Sequence, residues 1–225
     1  MAVELHEMRG FKVYMDLQES CLMPMKLREE YHVEVYNFLD RVLEKDHTFI
    51  DIGSCLGEFA LFAATRCGDV FAIEAHPDNA ERIEKSRKEN AFLNVSVFNL
   101  AAWDKEESLT LTCNPRWSGY HSLAFDQVKK WGGYTLPVHG CRMDYINLDH
   151  TKRVAIKIDI QGVERRALEG CSGFWSKVDA LAWDIDDRDF DGARKFCKGF
   201  EVVHEDGEKL LFARGKALDK WNATK

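Results

Sequence analysis

Short apolar runs alternate with stretches of helical spacing along most of this chain. Near the start, Val33, Val35, Tyr36, Leu39, Val42 and Leu43 recur about every three to four positions, which predicts one amphipathic helix over Leu27–Leu43. Phe49–Ile52 then reads as a buried strand and Glu58–Cys67 as a helix stopped by Gly68. Val70–Glu74 is the next strand. Pro77–Asn90 follows as a helix with Asp78 and Glu81 in its first turn, where acids complement the helix dipole. A third strand is predicted over Val95–Leu100.

The second half is less regular. Ser108–Cys113 alternates like a half-exposed strand, and Asn114 to Leu136 reads as a loop carrying Trp117, Tyr120, Phe125, Trp131 and Tyr134 beside glycines. Such a segment either closes over a bound molecule and excludes water or is held down by its own aromatics. The stretch VHGCRMDYI predicts a short strand and a helix start near Asp144. Val154–Ile160 is the clearest buried strand, followed by a helix over Val163–Glu169 and a strand over Ala180–Ile185. Two final strand patterns flank Asp206-Gly207, a strong hairpin signal.

Repeated strand–helix units favour an α/β fold with a doubly wound, mostly parallel sheet, because parallel strands need long crossovers that place helices on both faces. The C-terminal hairpin adds antiparallel strands at one edge. No linker, repeat or low-complexity stretch divides the chain, and prolines number only four. Residues 1–225 are therefore expected to form a single domain, with 1–45 as an N-terminal helical cap segment and 46–215 as the core.

Composition narrows the function. The net charge of −7 and the interleaving of basic with acidic residues argue against a nucleic-acid acceptor, which calls for a basic patch. No apolar run approaches the ~20 residues of a membrane span, and the start lacks the order of a signal peptide, so a cytoplasmic protein is expected. The seven cysteines (Cys21, Cys55, Cys67, Cys113, Cys141, Cys171, Cys197) contain no CxxC pair, which points to reduced thiols rather than disulfides or zinc. The chain is compatible with a homo-oligomer.

Ligands of such sheets sit beyond the carboxyl ends of the strands. There the segment TFIDIGSCLGEFALFAA places Asp51, Gly53, Ser54 and Gly57 in one strand-to-helix turn, and glycine lets a ligand approach the main chain closely. Glu74 ends the neighbouring strand, 23 positions after Asp51, where an acid suits the two hydroxyls of a ribose. The pattern is D-x-G-x-x-x-G rather than the dinucleotide G-x-G-x-x-G. Acids around the turn would repel a pyrophosphate and welcome a cation, and S-adenosylmethionine combines a ribose with a sulfonium and an ammonium group.

The ordered set FIDIGSCLGEFALFAA, VFAIEAHPDNAERIEKSRKEN, NLAAWDKEESLTL, SGYHSL and VAIKIDIQGVERRALEG resembles class I S-adenosylmethionine-dependent methyltransferases, and within them the FkbM family. The resemblance implies a Rossmann-like seven-stranded sheet and S-adenosylmethionine as cofactor. It further implies that Asp51, Gly53, Ser54 and Gly57 line the methionine and ribose side, that Glu74 with Ala75 receives the ribose, that Ala102, Trp103 and Asp104 lie near the adenine, and that Asp159 faces the methyl-transfer cleft. One departure stands out: the family's K-I-D-x-E-G-x-E reads here as Lys157, Asp159, Gln161, Gly162 and Glu164.

Methyl transfer to a hydroxyl needs alignment and removal of a proton. Asp159 is the first candidate for the base, followed by Glu164 and His121. Asp184, with Asp186 and Asp187, follows the fifth strand, and Asp159 with Asp184 are the candidates to share a Mg²⁺; aspartate-rich loops are more commonly solvated turns, so no metal is expected. The favoured activity is O-methylation of a small molecule or glycan. The alternatives are methylation of nucleic acid or protein, or binding of S-adenosylmethionine without turnover.

Overall fold

The computed structural model describes residues 3–19, 22–124, 133–149, 151–185 and 188–223. Phe125, Trp131, Asp186, Asp187 and Cys21 lie outside these residues. In chain order the elements are β1 (Glu4–Met8), β2 (Phe11–Met15), α1 (Leu22–Leu27), α2 (Val33–Val42), β3 (His47–Ile52), α3 (Glu58–Ala64), β4 (Asp69–Ile73), α4 (Pro77–Glu89), β5 (Val95–Phe98), β6 (Ala101–Ala102), β7 (Glu107–Cys113) and β8 (Tyr134–Cys141). They continue with β9 (Arg153–Ile158), α5 (Glu164–Glu169), β10 (Val178–Asp184), α6 (Phe190–Phe196), β11 (Glu201–Glu205), β12 (Lys209–Ala213) and α7 (Gly215–Ala223).

Seven strands form the main sheet in the order β11-β12-β10-β9-β3-β4-β5. The pairs among β5, β4, β3, β9 and β10 are parallel, and β12 runs antiparallel to both β10 and β11. Every residue of β3 is buried, as befits a central strand covered on both faces. Its side chains alternate between two cores. Phe49 joins residues of β2, α2, α3 and α7 on one face, whereas Ile50 and Ile52 join residues of α5, α6 and β10 on the other. Full burial of each such side chain contributes ~1.5–3 kcal/mol. The C-terminal hairpin forms where Asp206-Gly207 predicts it, with the Asp206 carboxylate accepting the N–H groups of Glu208 and Lys209, both at 2.8 Å.

Three regions differ from the sequence expectation. The N-terminal segment is not wholly helical: β1 and β2 pair as a hairpin whose Phe11, Val13 and Met15 point into the core. The free edge of β2 is met by α4. Asn90 accepts the Lys12 N–H at 2.8 Å and returns a bond to its carbonyl at 2.6 Å, and Ser86 Oγ accepts the Tyr14 N–H at 3.0 Å.

The helix expected over Leu27–Leu43 begins later, as α2 at Val33, because α1 before it ends at Leu27. Glu29 adopts φ 60°, its N–H bonding Lys26 O while the Glu30 N–H bonds Met25 O. This is the helix-ending bond pair normally built on glycine. Finally, β6, β8 and β7 form a separate three-stranded sheet, with β8 starting at Tyr134 inside the expected loop and a 3₁₀ turn, Met143–Tyr145, in place of a helix near Asp144. No helix among the described residues is long and apolar enough to cross a membrane, and the six described cysteines are free thiols.

Candidate functional site

From β3 the chain moves outward to β4 and β5, then returns across to β9 and β10 on the other side. A cleft opens at the carboxyl ends of these strands, where the winding reverses.

The first turn explains both of its glycines by neighbours within the protein. Gly53 has φ 77°, and a Cβ there would lie 2.0 Å from the Asp159 carbonyl oxygen. Its N–H and that of Ser54 both bond the Ile73 carbonyl, at 2.9 and 3.1 Å, so the turn is tied to β4 and pressed against the exit of β9. Gly57, at φ 82°, starts α3, and a Cβ there would meet Ile83 Cγ2 of α4 at 2.9 Å. A Cβ at these positions would meet the chain's own backbone and helix α4.

Of the residues singled out in the sequence, Gly53, Ser54, Glu74, Ala75, Ala102, Trp117, Tyr120, His121, Lys157, Asp159, Gln161 and Asp184 line the cleft. Glu74 is buried and held from two sides, Oε2 accepting the Cys55 N–H at 2.7 Å and Oε1 the His76 N–H at 2.8 Å. Burial pushes its pKa up to about 7. Asp159 accepts from Gln161 Nε2 at 2.8 Å, and Lys157 Nζ stands 3.8 Å from its other oxygen. Gln161 takes φ 61°, and its carbonyl accepts from Ser122 Oγ at 2.7 Å, which fixes the loop after β9. Where the family's carboxylate would repel Asp159, the amide donates to it.

Asp51, Gly57, Trp103 and Glu164 stand behind the cleft wall rather than on it. Asp51 is fully buried, its Oδ2 accepting the Ala60 N–H at 3.1 Å, so it anchors the first turn of α3; burial pushes its pKa up to about 6. Trp103 donates from Nε1 to Glu107 at 2.6 Å and carries the Arg166 guanidinium over its ring at 4.2 Å. Glu164 accepts the N–H groups of Ile160 at 3.1 Å and Gly162 at 2.9 Å, and its pKa is raised by burial. It braces the loop carrying Asp159 rather than facing an acceptor.

His121 lines the cleft but is unsuited to be a base. Its Nδ1 accepts the Asn114 N–H at 3.1 Å, which places the ring proton of the neutral imidazole on Nε2. The ring stacks on His76 at 4.4 Å, and burial drives its pKa down to about 3. At neutral pH it is a hydrogen-bond donor.

Sequence spacing missed the other wall of the cleft. Lys26, Tyr31 and His32 reach it from the N-terminal segment, and Glu58 from α3. Lys26 pairs with Glu58 in a buried ion pair, and Glu58 Oε2 has no hydrogen-bond partner among the described residues. The pKa of Glu58 is lowered, the burial that would raise it being outweighed by Lys26. Lys157, between Asp51 at 3.7 Å and Asp159 at 3.8 Å, stays charged because these acids outweigh its burial. The turn Ser118–Tyr120 also lines the cleft, its Ser118 N–H donating to Glu19 at 2.9 Å, which in turn binds Arg82 at 2.9 Å. Asp159 and Asp184 do come together, and with His32 they offer one ligand atom each within 4.8 Å of one another.

A family model for the methyltransferase FkbM domain matches residues 51–197. Comparison with curated proteins finds no match. Among solved structures, TYW2 of M. jannaschii in complex with AdoMet is similar, with a TM-score of 0.52 and 11% identity over 95% of this chain and 87% of that one. The M. jannaschii tRNA m1G37 methyltransferase has a TM-score of 0.50 and 12% identity, covering 94% of this chain and 55% of that one. An rRNA methylase from Streptococcus thermophilus reaches a TM-score of 0.48 and 14% identity over 80% of this chain and 92% of that one. At these identities the likeness to the two M. jannaschii structures is one of fold alone.

Proposed function

The chain belongs to the FkbM family of S-adenosylmethionine-dependent methyltransferases, and on that premise we propose that it methylates a hydroxyl of a small molecule or glycan. The observation that carries the cofactor side is Glu74. Two backbone N–H groups aim its buried carboxylate at the end of β4, where the remaining lone pairs serve as acceptors for ribose hydroxyls. Glu58 Oε2, buried and without a hydrogen-bond partner among the described residues, offers a second acceptor suited to an ammonium group. The acids Glu58, Glu74 and Asp159 around the cleft thus fit a cationic adenosyl compound.

Bound S-adenosylmethionine supplies a methyl group made electrophilic by its positive sulfur. The protein has two tasks left, to align an acceptor oxygen with that carbon and to receive its proton. Asp159 is the residue for the second, since Glu164 is turned into the protein and His121 presents a proton. Gln161 orients the Asp159 carboxylate, and Lys157 keeps a positive charge beside it. Asp159 would receive the acceptor's hydroxyl proton as the methyl group that S-adenosylmethionine would supply is taken up by that oxygen. The Ser118–Tyr120 turn and Tyr31 line the same cleft and would pack against a bound acceptor.

Incubation with methyl-labelled S-adenosylmethionine and fractionated cell extract tests the reading. Label in a low-molecular-weight or glycan fraction, lost in Asp159→Asn, is the expected result. Label appearing in RNA or protein would replace the acceptor class, and cofactor binding with no transfer to any fraction would make the chain a binder.

A further inference from the structure

The ion pair between Lys26 and Glu58 is incomplete. An ammonium has three N–H donors and a carboxylate two acceptor oxygens. Among the described residues, Lys26 donates only to Glu58 Oε1, and Glu58 Oε2 has no hydrogen-bond partner. Both side chains line the cleft and both are more than nine-tenths buried, at 8% and 6% exposure. A buried ion pair recovers the cost of its desolvation only when further hydrogen bonds complete it. The groups around this one do not supply them. Tyr31 offers the face of its ring, with Lys26 Nζ 5.3 Å from the ring centre. Cys55 is a neutral thiol, its pKa pushed up to about 12 by burial. Lys157, the other buried ammonium of the cleft, is held between Asp51 and Asp159. One wall of the cleft therefore carries spare donors on a cation beside a spare acceptor on an anion.

We propose that Lys26 and Glu58 form a clamp for an α-amino acid group, Lys26 Nζ donating to its carboxylate and Glu58 Oε2 accepting from its ammonium. This assignment rests on the S-adenosylmethionine reading of the cleft and deepens it, since the methionyl end of that cofactor carries both charges on one carbon. The placement suits such a molecule. The Cys55 N–H donates to Glu74 at 2.7 Å, and Glu58 lies three residues further along the same turn, so the ribose acceptor and the clamp flank one stretch of backbone. Lys26 comes from α1, outside the residues 51–197 matched by the family model. The N-terminal segment thus holds the donor as well as walling the cleft. The demethylated product keeps the same amino acid tail, so the clamp contributes equally to donor and product and acts on affinity rather than on the transfer step, which stays with Asp159.

The test is calorimetry on the full chain with S-adenosylmethionine and with its decarboxylated form, which keeps the adenosyl group, the sulfonium and the amine. Wild type should prefer the intact compound by about 10–150-fold, the factor carried by one charge-assisted hydrogen bond. Lys26→Met combined with Glu58→Leu, which leaves no buried charge unpaired, should bind the two within about threefold of each other, and should weaken S-adenosylhomocysteine by the same factor as S-adenosylmethionine. Without any variant, NMR should show a nuclear Overhauser contact between the ε-methylene protons of Lys26 and the α proton of bound S-adenosylhomocysteine. A wild-type ratio within threefold, an undiminished preference in the double variant, or absence of that contact would overturn the proposal and leave the pair a strap between α1 and α3. Titration with 5′-methylthioadenosine, which lacks the amino acid tail, separates the two readings. If it binds while the ratio is flat, the clamp alone falls; if no adenosyl compound binds, the methyltransferase reading of the cleft falls too.

Discussion

Replacing Glu74 by glutamine preserves shape and removes one charge, and its consequence for cofactor binding can be worked from two hydrogen bonds. The carboxylate already accepts the Cys55 and His76 N–H groups, so an amide must turn its own donor toward one of them. The amide keeps one acceptor oxygen where the carboxylate has two, so one of the two ribose hydroxyls loses its acceptor and one backbone N–H faces a donor. Losing one charge-assisted hydrogen bond of ~1.5–3 kcal/mol raises the Kd for S-adenosylmethionine by roughly 10–150-fold. Burial, which pushes the wild-type carboxyl up to about 7, adds a pH signature. The ionised fraction falls from about nine-tenths at pH 8 to about one-tenth at pH 6, so wild-type affinity should weaken about tenfold over that interval. Glu74→Gln should lack this dependence. Calorimetric titration of both proteins at several pH values is the assay, and because any titration of the ligand is common to both, the ratio of their Kd values is the readout. A pH-independent ratio, or a variant within about threefold of wild type, would refute the role of Glu74. Stability runs the opposite way. With its folded pKa above the ordinary glutamate value of 4.5, Glu74 holds a proton in the folded state that the unfolded chain has released. Its contribution therefore falls by about 3 kcal/mol as pH rises from 4.5 to about 7, and this part of the slope should vanish in the variant.

Lys26→Met strands Glu58 as a buried lone charge and should cost ~3–5 kcal/mol in urea denaturation, whereas Lys26→Met with Glu58→Leu should recover most of it; equal losses would mean the ion pair is not the unit. Gln161→Glu puts a carboxylate where a donor now lies 2.8 Å from Asp159, so the pair must share a proton. The acid limb of the pH–rate profile should move upward, and an unmoved limb would show that Gln161 does not orient Asp159. His121→Phe should retain turnover to within about tenfold, because removal of a true general base costs about 10²–10⁴-fold. A loss of that larger size with cofactor affinity intact would restore His121 as the base.

The sheet was legible because its strands are continuous apolar runs: each of the parallel strands from β3 to β10 overlaps the run that predicts it. The acids at strand tips were legible as well, since Glu74, Asp159 and Asp184 follow directly from strand ends. Which side of a strand such a residue faces was not. Asp51 and Glu164 occupy motif positions yet point into the protein, because the backbone N–H groups of Ala60, Ile160 and Gly162 need acceptors there. The turn glycines gave a correct alarm about close approach and no information on what approaches, since Asp159 and Ile83 come from distant sequence. The break before α2 was hidden because Glu29 takes the left-handed position where glycine is the usual sign. Lys26, Tyr31 and His32 carry no periodic signal that ties them to strands more than a hundred residues onward.

The residues matched by the family model begin at 51, yet one wall of the cleft is built from positions 26–32. A short connector, fastened at one end by the Glu29 turn and at the other by the start of α2, carries Tyr31 and His32 into the cleft, while Lys26, ahead of that turn, is tied to Glu58. Exchanging positions 30–32 alone would therefore rewrite that wall and leave the ion pair standing.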